Sequence, residues 1–249
     1  MSEIVEHPEY NSSDNPYPSF GKKYAGERAI ISLTSWKMRI HTVAKTLYSL
    51  YTMCPGFHIV LVLSEEEFPK MCEELPENLM LFVENEMIEL LWVYRNYRSF
   101  KKVLFTMDKY RDVPVISADD DCIYTCNYAQ ELYDKWKENK NAFITIKSHL
   151  PFYKKVTCNG IGAASLHPPF CYKKFMSLLD FKNLIETSHD DVFYMIIRNR
   201  LKIPQRIIPK KIKDVMIFVN EINPLHKYYS KLHNVLQMYE KTIDKYMSI

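Results

Sequence analysis

Residues 113–121 have the sequence VPVISADDD, in which a short apolar run ends directly on three aspartates. Val115, Ile116 and Ala118 are typical of a strand that is buried on both faces of a parallel sheet. Pro114 fits the first turn of such a strand, because proline cannot donate a ladder hydrogen bond. Open α/β sheets bind ligands at the carboxyl ends of their strands, so the acidic triplet lies where a site is expected.

The same alternation extends outward along the chain. Further strands are predicted from apolar, β-rich runs at residues 29–34, 58–63, 89–93 and 142–146. Helices are predicted from apolar spacing at residues 40–51, 99–110, 128–137 and 191–201, and an N-cap with an acidic first turn predicts another at residues 64–67. The pattern predicts an α/β fold with a mainly parallel sheet and helices on both faces.

The length of 249 residues suits one large domain, since single cores stop growing at roughly 250–300 residues. Residues 1–25, rich in proline and polar residues, are predicted to form a loose N-terminal arm. Residues 26–204 are predicted to form the catalytic domain. Residues 205–249 are predicted to be a C-terminal extension that ends in an amphipathic helix, with an apolar stripe from Leu225 to Tyr246.

Composition excludes several classes of protein. The net charge of +3, from 33 basic and 30 acidic residues, is too balanced to indicate a nucleic-acid partner. The N-terminus lacks the pattern of a secretory signal and no apolar run reaches the roughly 20 residues of a membrane span, so we expect a cytoplasmic protein. The six cysteines form no CxxC pair, which favours reduced thiols over a zinc or redox site.

Three adjacent carboxylates repel one another, and a divalent cation removes that conflict. Mg²⁺ or Mn²⁺ is usually held by one or two carboxylates while substrate phosphates complete the coordination shell. In an extended segment alternate side chains share a face, so Asp119 and Asp121 are expected to point together and Asp120 elsewhere. The alternative is a solvated turn or a helix cap without a metal.

A second acidic pair, Asp190 and Asp191, opens the predicted helix near residue 191. Ser188 and Asp191 resemble a capping box, and carboxylates at a helix start are favoured by its dipole, so a structural role explains the pair. The functional alternative is a general base that takes the proton of an acceptor hydroxyl.

Other polar residues follow the strand ends. Thr34, Ser35 and Arg39 come after the first strand and could hold a base, ribose or phosphate. Lys101 and Lys102 open a helix and could offset the charge of a diphosphate. Each of these taken singly is better explained as a surface residue.

The loop that contains Asn159, Gly160 and Gly162 is too short for a GxGxxG dinucleotide fingerprint. The sequence also contains no GxxxxGK[ST] loop and no HExxH pair, which disfavours P-loop kinases and zinc hydrolases.

Taken in order, six segments of this chain resemble the bacterial GT-A glycosyltransferases of surface polysaccharide synthesis (family 2-like). They are ISLTSWKMRI (31–40), VLVLSEEEFP (60–69), SFKKVL (99–104), VISADDDCIY (115–124), NGIGAASLHPP (159–169) and HDDVFYM (189–195). The resemblance covers residues 28 to about 204 and implies a nucleotide-binding sheet with an Asp-x-Asp motif. It also implies transfer of a sugar from a nucleoside diphosphate sugar, with a UDP-sugar expected, to a saccharide or lipid-linked acceptor.

The resemblance implies residue roles as well. Asp119, beside Asp120, would face the nucleotide, and Asp119 and Asp121 would bind Mn²⁺ or Mg²⁺. Within the pair Asp190 and Asp191, the second member would be the base. The nucleotide pocket would be lined by Thr34, Ser35 and Arg39, with Lys101 or Lys102 at the diphosphate and Asn159, Gly160 and Gly162 near the donor sugar or acceptor.

The sequence therefore predicts a metal-dependent glycosyltransferase. One alternative is a metal-dependent phosphohydrolase or nuclease that uses both acidic clusters to hold two ions. Another is a non-catalytic binding protein whose carboxylates only cap structural elements. The stripe of the C-terminal helix could pack on the domain, pair with a second copy, or contact the inner membrane surface.

Overall fold

The fold is described by a computed structural model, which covers residues 17–146, 162–169, 172 and 190–219. Its strands are β1 (Ser19–Gly21), β2 (Ile30–Thr34), β3 (His58–Ser64), β4 (Glu89–Val93), β5 (Val115–Ser117), β6 (Cys122–Tyr124), β7 (Phe143–Ile146), β8 (Ser165–His167), β9 (Gln205–Ile208) and β10 (Met216–Phe218). Its α-helices are α1 (Val43–Met53), α2 (Glu77–Glu84), α3 (Lys101–Lys109), α4 (Tyr128–Lys137) and α5 (Asp190–Arg200). Short 3₁₀ turns occupy Met71–Glu74, Arg98–Phe100 and Ile212–Asp214.

Eight strands form one sheet in the order β1-β4-β3-β2-β5-β8-β7-β9, and β6 pairs with β10 in a separate two-stranded sheet. The central strands β4, β3, β2 and β5 are all parallel, with Ile30 opposite His58 on one side and Val115 on the other. Strand β8 is antiparallel to both its neighbours, and β9 is parallel to β7. The prediction of an α/β fold with a mainly parallel sheet is confirmed.

The central strands are buried on both faces, and alternate residues divide between two apolar cores. One core contains Ile31, Leu61 and Trp92 together with residues of α1, α2 and α4. The other contains Ile30 and Val62 together with residues of α3 and α5. Helices therefore cover both faces of the sheet, as the sequence predicts.

Two stretches that the sequence assigns to the arm and to the extension contribute strands to this sheet. Ser19–Gly21 pairs with β4 at one edge, and Gln205–Ile208 pairs with β7 at the other. Pairing with a neighbouring strand, rather than any local period, makes these short segments extended. The predicted C-terminal helix, and the loop up to residue 161, lie outside the described residues.

The helix predicted to start at residues 64–67 is wrong. Ser64 is the last residue of β3, residues 65–67 form a turn, and α2 begins only at Glu77. The backbone amides of Glu65 and Glu66 donate to the carbonyls of Val93 and Tyr94, so the chain stays beside β4. Within the described ranges, no helix combines the length and the apolar character that crossing a bilayer requires.

Candidate functional site

The acidic triplet lies at the carboxyl end of β5, next to the end of β2, and Arg39 binds it there. The Arg39 guanidinium contacts Asp120 Oδ1 through Nη2 at 2.8 Å and Asp121 Oδ2 through Nη1 at 2.5 Å. Ser35 Oγ donates to the other oxygen of Asp120 at 2.6 Å. A guanidinium makes strong charge-assisted hydrogen bonds to carboxylates, and Arg39 bridges two of them, so it fixes the triplet against the loop after β2.

Exposure divides the triplet as the sequence predicts. The side chain of Asp120 is 3% exposed, whereas those of Asp119 and Asp121 are 33% and 29% exposed. The backbone turns at residues 120–121 instead of continuing as a strand. Burial, countered by Arg39 and Ser35, raises the pKa of Asp120 to about 6, and its two aspartate neighbours add to the rise. Asp120 is therefore a buried residue that Arg39 and Ser35 hold in place.

Lys102 joins the two acidic clusters. Its Nζ donates to Asp119 Oδ1 at 2.6 Å and lies 3.8 Å from Asp190 Oδ2. Burial opposes the charged form of Lys102, but Asp119, Asp190 and Asp191 outweigh it and raise its pKa above the ordinary value. The ammonium therefore stays charged between aspartates that are about 70 residues apart in the sequence.

Lys101, the other predicted diphosphate ligand, points away from this junction. Its side chain is 1% exposed, and Nζ binds Asn96 Oδ1 at 2.8 Å and Glu67 Oε2 at 3.3 Å. Glu67 also accepts from the backbone amide of Lys37 at 3.0 Å. Burial lowers the pKa of Lys101, and Glu67 opposes the change. Glu67 therefore links Lys101 to the loop after β2.

The two aspartates at the start of α5 have different surroundings. Asp190 is buried and accepts from Ser99 Oγ at 2.9 Å. Asp191 is exposed, although protein atoms crowd its carboxylate enough to desolvate it partly. This desolvation, and the repulsion of the Asp190 carboxylate, raise the pKa of Asp191, and Lys102 opposes the rise. Asp191 is thus the member of the pair that can exchange a proton with a ligand.

Gly162 closes the same space. A Cβ added to it would lie 2.9 Å from Lys102 Nζ, 3.4 Å from Asp191 Oδ1 and 3.5 Å from Asp119 Oδ1. A side chain at residue 162 would therefore fill the junction of the two clusters. The other predicted loop residues, Asn159 and Gly160, lie outside the described part of the chain.

Several contacts at the site were not predicted from the sequence. Tyr124 OH accepts from the amide of Asp119 at 3.0 Å and donates to the carbonyl of Ala163 at 2.7 Å, which links the triplet to the segment of Gly162. Thr46 Oγ1 donates to the carbonyl of Asp120 at 2.9 Å. Thr46 is a polar residue within the apolar stripe of α1, and this exception to the pattern could have predicted a polar contact. Nothing in the sequence predicts the contacts of Tyr124.

Thr34, also assigned to the nucleotide pocket, lies at the end of β2 and is half-buried. Its hydroxyl donates to the carbonyl of Val62 at 2.7 Å. A small cleft, of about 10 Å³ and large enough for about one water, lies between α1 and the triplet. The cleft is lined by Arg39, Thr42, Lys45, Thr46, Asp120, Asp121 and Val219. The structure therefore brings Arg39, residues 119–121, Lys102 and Asp190 together at one edge of the sheet, whereas Lys101 binds Glu67 and Asn96 instead.

The donor set suits a divalent cation. Among the described residues, five carboxylates lie at the two clusters; Arg39 pairs with Asp120 and Asp121, and Lys102 pairs with Asp119 and Asp190. Asp119 and Asp121 are the solvent-accessible members of the triplet. No three potential ligands from His, Cys, Asp or Glu converge within the described residues. A magnesium or manganese ion held by Asp119 and Asp121 would therefore need oxygen atoms of a substrate to complete its coordination shell.

No family model matches the sequence, and no curated protein matches it. Among solved structures, the fold is similar to a mannosyltransferase from Pyrobaculum calidifontis in complex with GDP-Man and Mn²⁺. That likeness has a TM-score of 0.49 and 12% identity, and it covers 74% of this chain and 55% of the other. It is also similar to GalNAc-T7 with UDP, GalNAc and Mn²⁺, with a TM-score of 0.38 and 14% identity over 47% of this chain and 22% of the other. The chain thus spans about half of the first structure and less than a quarter of the second.

Proposed function

We propose that this protein is a metal-dependent glycosyltransferase with a GT-A-like domain, which moves a sugar from a nucleoside diphosphate sugar to an acceptor hydroxyl. The observation that carries the proposal is the convergence on Lys102. Asp119, from the end of β5, and Asp190, from the start of α5, both contact its ammonium. This convergence supports the proposal that the motifs whose order resembles the bacterial GT-A enzymes make up one site at a strand edge.

The division of exposure supports a division of roles. Asp119 and Asp121 are accessible to a ligand and would hold Mn²⁺ or Mg²⁺ with the donor diphosphate. When bound, the ion would offset the negative charge of the departing nucleoside diphosphate. Lys102, held charged beside Asp119, would add a second positive charge at the same place. Thr34, Ser35 and Arg39 would border the nucleotide.

Asp191 would act as the general base. Its pKa is raised and its carboxylate is exposed, and a base is most effective when its pKa approaches the working pH. It would take the proton of the acceptor hydroxyl while the acceptor oxygen bonds to the anomeric carbon. The bond from that carbon to the diphosphate breaks, and its electron pair leaves with the nucleotide. Asp190, bound by Ser99, would hold the start of α5 in place.

Convergence of two acidic clusters is also what a two-metal phosphohydrolase or nuclease requires. Here, however, the Lys102 ammonium lies between the clusters, 2.6 Å from Asp119 and 3.8 Å from Asp190. A second metal ion would have to displace it. A hydrolysed phosphodiester, tested without any sugar nucleotide, would favour that alternative.

We include in the proposal a UDP-sugar as donor, and a saccharide or lipid-linked acceptor in bacterial surface polysaccharide synthesis. The same proposal places the protein in the cytoplasm, with contact to the inner membrane surface as an alternative. These assignments rest on the resemblance in the motif order.

The test is a screen of UDP-, GDP- and CDP-sugars for Mn²⁺-dependent turnover, repeated on Asp191→Asn. Loss of a general base costs about 10²–10⁴-fold in rate. We expect that loss in the variant, with nucleotide affinity unchanged because Asp191 does not hold the nucleotide. Asp134→Asn, which removes an exposed surface aspartate, is the matched control and should turn over like the wild type. Full activity of Asp191→Asn would refute its role as the base.

A further inference from the structure

An open apolar groove borders α1, whose Lys45 also lines the cleft of the site. It is lined by Ala44, Lys45, Tyr48 and Ser49 of α1, Asn78 and Phe82 of α2, and Ile123 of β6. Its volume is about 470 Å³, which accommodates several side chains, since one water takes about 30 Å³. Tyr48, on its rim, is 63% exposed.

The neighbouring strand continues this apolar surface. Ile217 of β10 pairs directly with Ile123 of β6, and residues opposite each other in an antiparallel pair share a face. Ile217 is 60% exposed. Large apolar side chains that cluster at an open groove indicate a surface that another element covers.

The chain itself supplies a suitable element. The described residues end at Val219, whose amide donates to the carbonyl of Asp121 at 2.8 Å, two residues from Ile123. The six residue steps from Val219 to Leu225 span at most about 21 Å when extended. The apolar stripe that begins at Leu225 is therefore tethered close to the groove.

Charge supports the same pairing. Between Lys70 and Arg95 the sequence has six glutamates and no lysine, arginine or histidine, and Glu77, Glu84 and Glu86 are exposed on or beside α2. Residues 224–249 carry four lysines and two acidic residues. A basic helix next to an acidic helix gains favourable electrostatic interactions at the rim.

We propose that the C-terminal amphipathic helix, predicted from residues 224–246, packs its apolar stripe into the groove between α1, α2 and β6 of its own chain. The helix covers Tyr48, Phe82 and Ile123, and its lysines face the glutamates of α2. Packing there also fixes β10, which borders Asp121. This role is independent of the chemistry at the site.

Hydrogen–deuterium exchange on the full-length protein tests the proposal, with light scattering to identify the monomer. Amides of residues 224–246 should be protected in the monomer. Tyr48→Glu, in the groove, should speed their exchange by about tenfold or more, which corresponds to about 1.4 kcal/mol. Tyr51→Glu, on the same helix and 46% exposed but outside the groove, is the matched control and should leave exchange unchanged.

Leu236→Glu, in the stripe, should lose the same protection as Tyr48→Glu. An unprotected C-terminal segment in the monomer would overturn the proposal, as would equal exchange in Tyr48→Glu and Tyr51→Glu. Protection that appears only in a dimer, or only with vesicles of anionic lipid, would also overturn it and would assign the stripe to a second copy or to a membrane surface.

Discussion

Replacing Lys102 by methionine removes the ammonium that joins the two acidic clusters and keeps an apolar side chain of similar length. The Lys102 side chain is 6% exposed and lies 2.6 Å from Asp119 and 3.8 Å from Asp190. Removing one partner of a buried ion pair leaves the other charge uncompensated and costs about 3–5 kcal/mol. We therefore expect Lys102→Met to lower the free energy of unfolding by that amount, and Tm by roughly 6–20 °C for a chain of this size.

Urea denaturation followed by tryptophan fluorescence measures this loss. Lys137→Met is the matched control, because Lys137 Nζ lies 2.7 Å from Asp134 in a pair whose two side chains are both 51% exposed. An exposed pair contributes at most about 1 kcal/mol. Adding Asp119→Asn to Lys102→Met should recover part of the loss, since it removes an uncompensated carboxylate. Equal destabilisation by Lys102→Met and Lys137→Met would refute the account of a buried charge junction.

Glu89 should make stability depend on pH: burial opposes its charge, but His58, Lys109 and Tyr110 lower its pKa to about 2. Because the unfolded chain then binds more protons, the stabilisation is present above about pH 4.3 and is lost as pH falls towards 2, by about 3 kcal/mol. Unfolding of Glu89→Gln from pH 5 to pH 2.5 should show a shallower slope than the wild type, and an equal slope would contradict this. Gly162 does not have a positive φ, so Gly162→Ala introduces no backbone strain. The added Cβ would, however, lie 2.9 Å from Lys102 Nζ. It should change Tm by only a few degrees and reduce turnover by tenfold or more, and wild-type turnover in the glycosyltransfer assay would show that the junction is not used.

The strand edge and the order of the motifs could be predicted because the signals are local. Val115 and Ile116 form part of a strand buried on both faces, and such strands appear in the sequence as continuous apolar runs. The acidic triplet comes directly after that strand in the sequence, so its position at the end of the strand was predictable. Asp119 and Asp121 are more exposed than Asp120, but the extended backbone from which their shared face was predicted is replaced by a turn at residues 120–121.

The features that the sequence did not predict depend on contacts between distant segments. Lys101 and Lys102 are adjacent and chemically identical, and only the orientation of α3 sends one to Glu67 and the other to Asp119. The acidic residues after β3 resemble a helix start, but Glu67 instead binds Lys101 and the amide of Lys37. Local patterns cannot encode such partners.

The central claim is that Asp119 and Asp121 form a metal-dependent nucleotide site, and calorimetric titration with UDP, with and without Mn²⁺, tests it most directly. Asp121→Asn would be measured beside the wild type, with Asp134→Asn as the surface control. We predict UDP binding that requires Mn²⁺, is lost in Asp121→Asn and is unchanged in Asp134→Asn. Absence of binding by UDP, GDP and CDP, or equal binding by Asp121→Asn and the wild type, would contradict the claim.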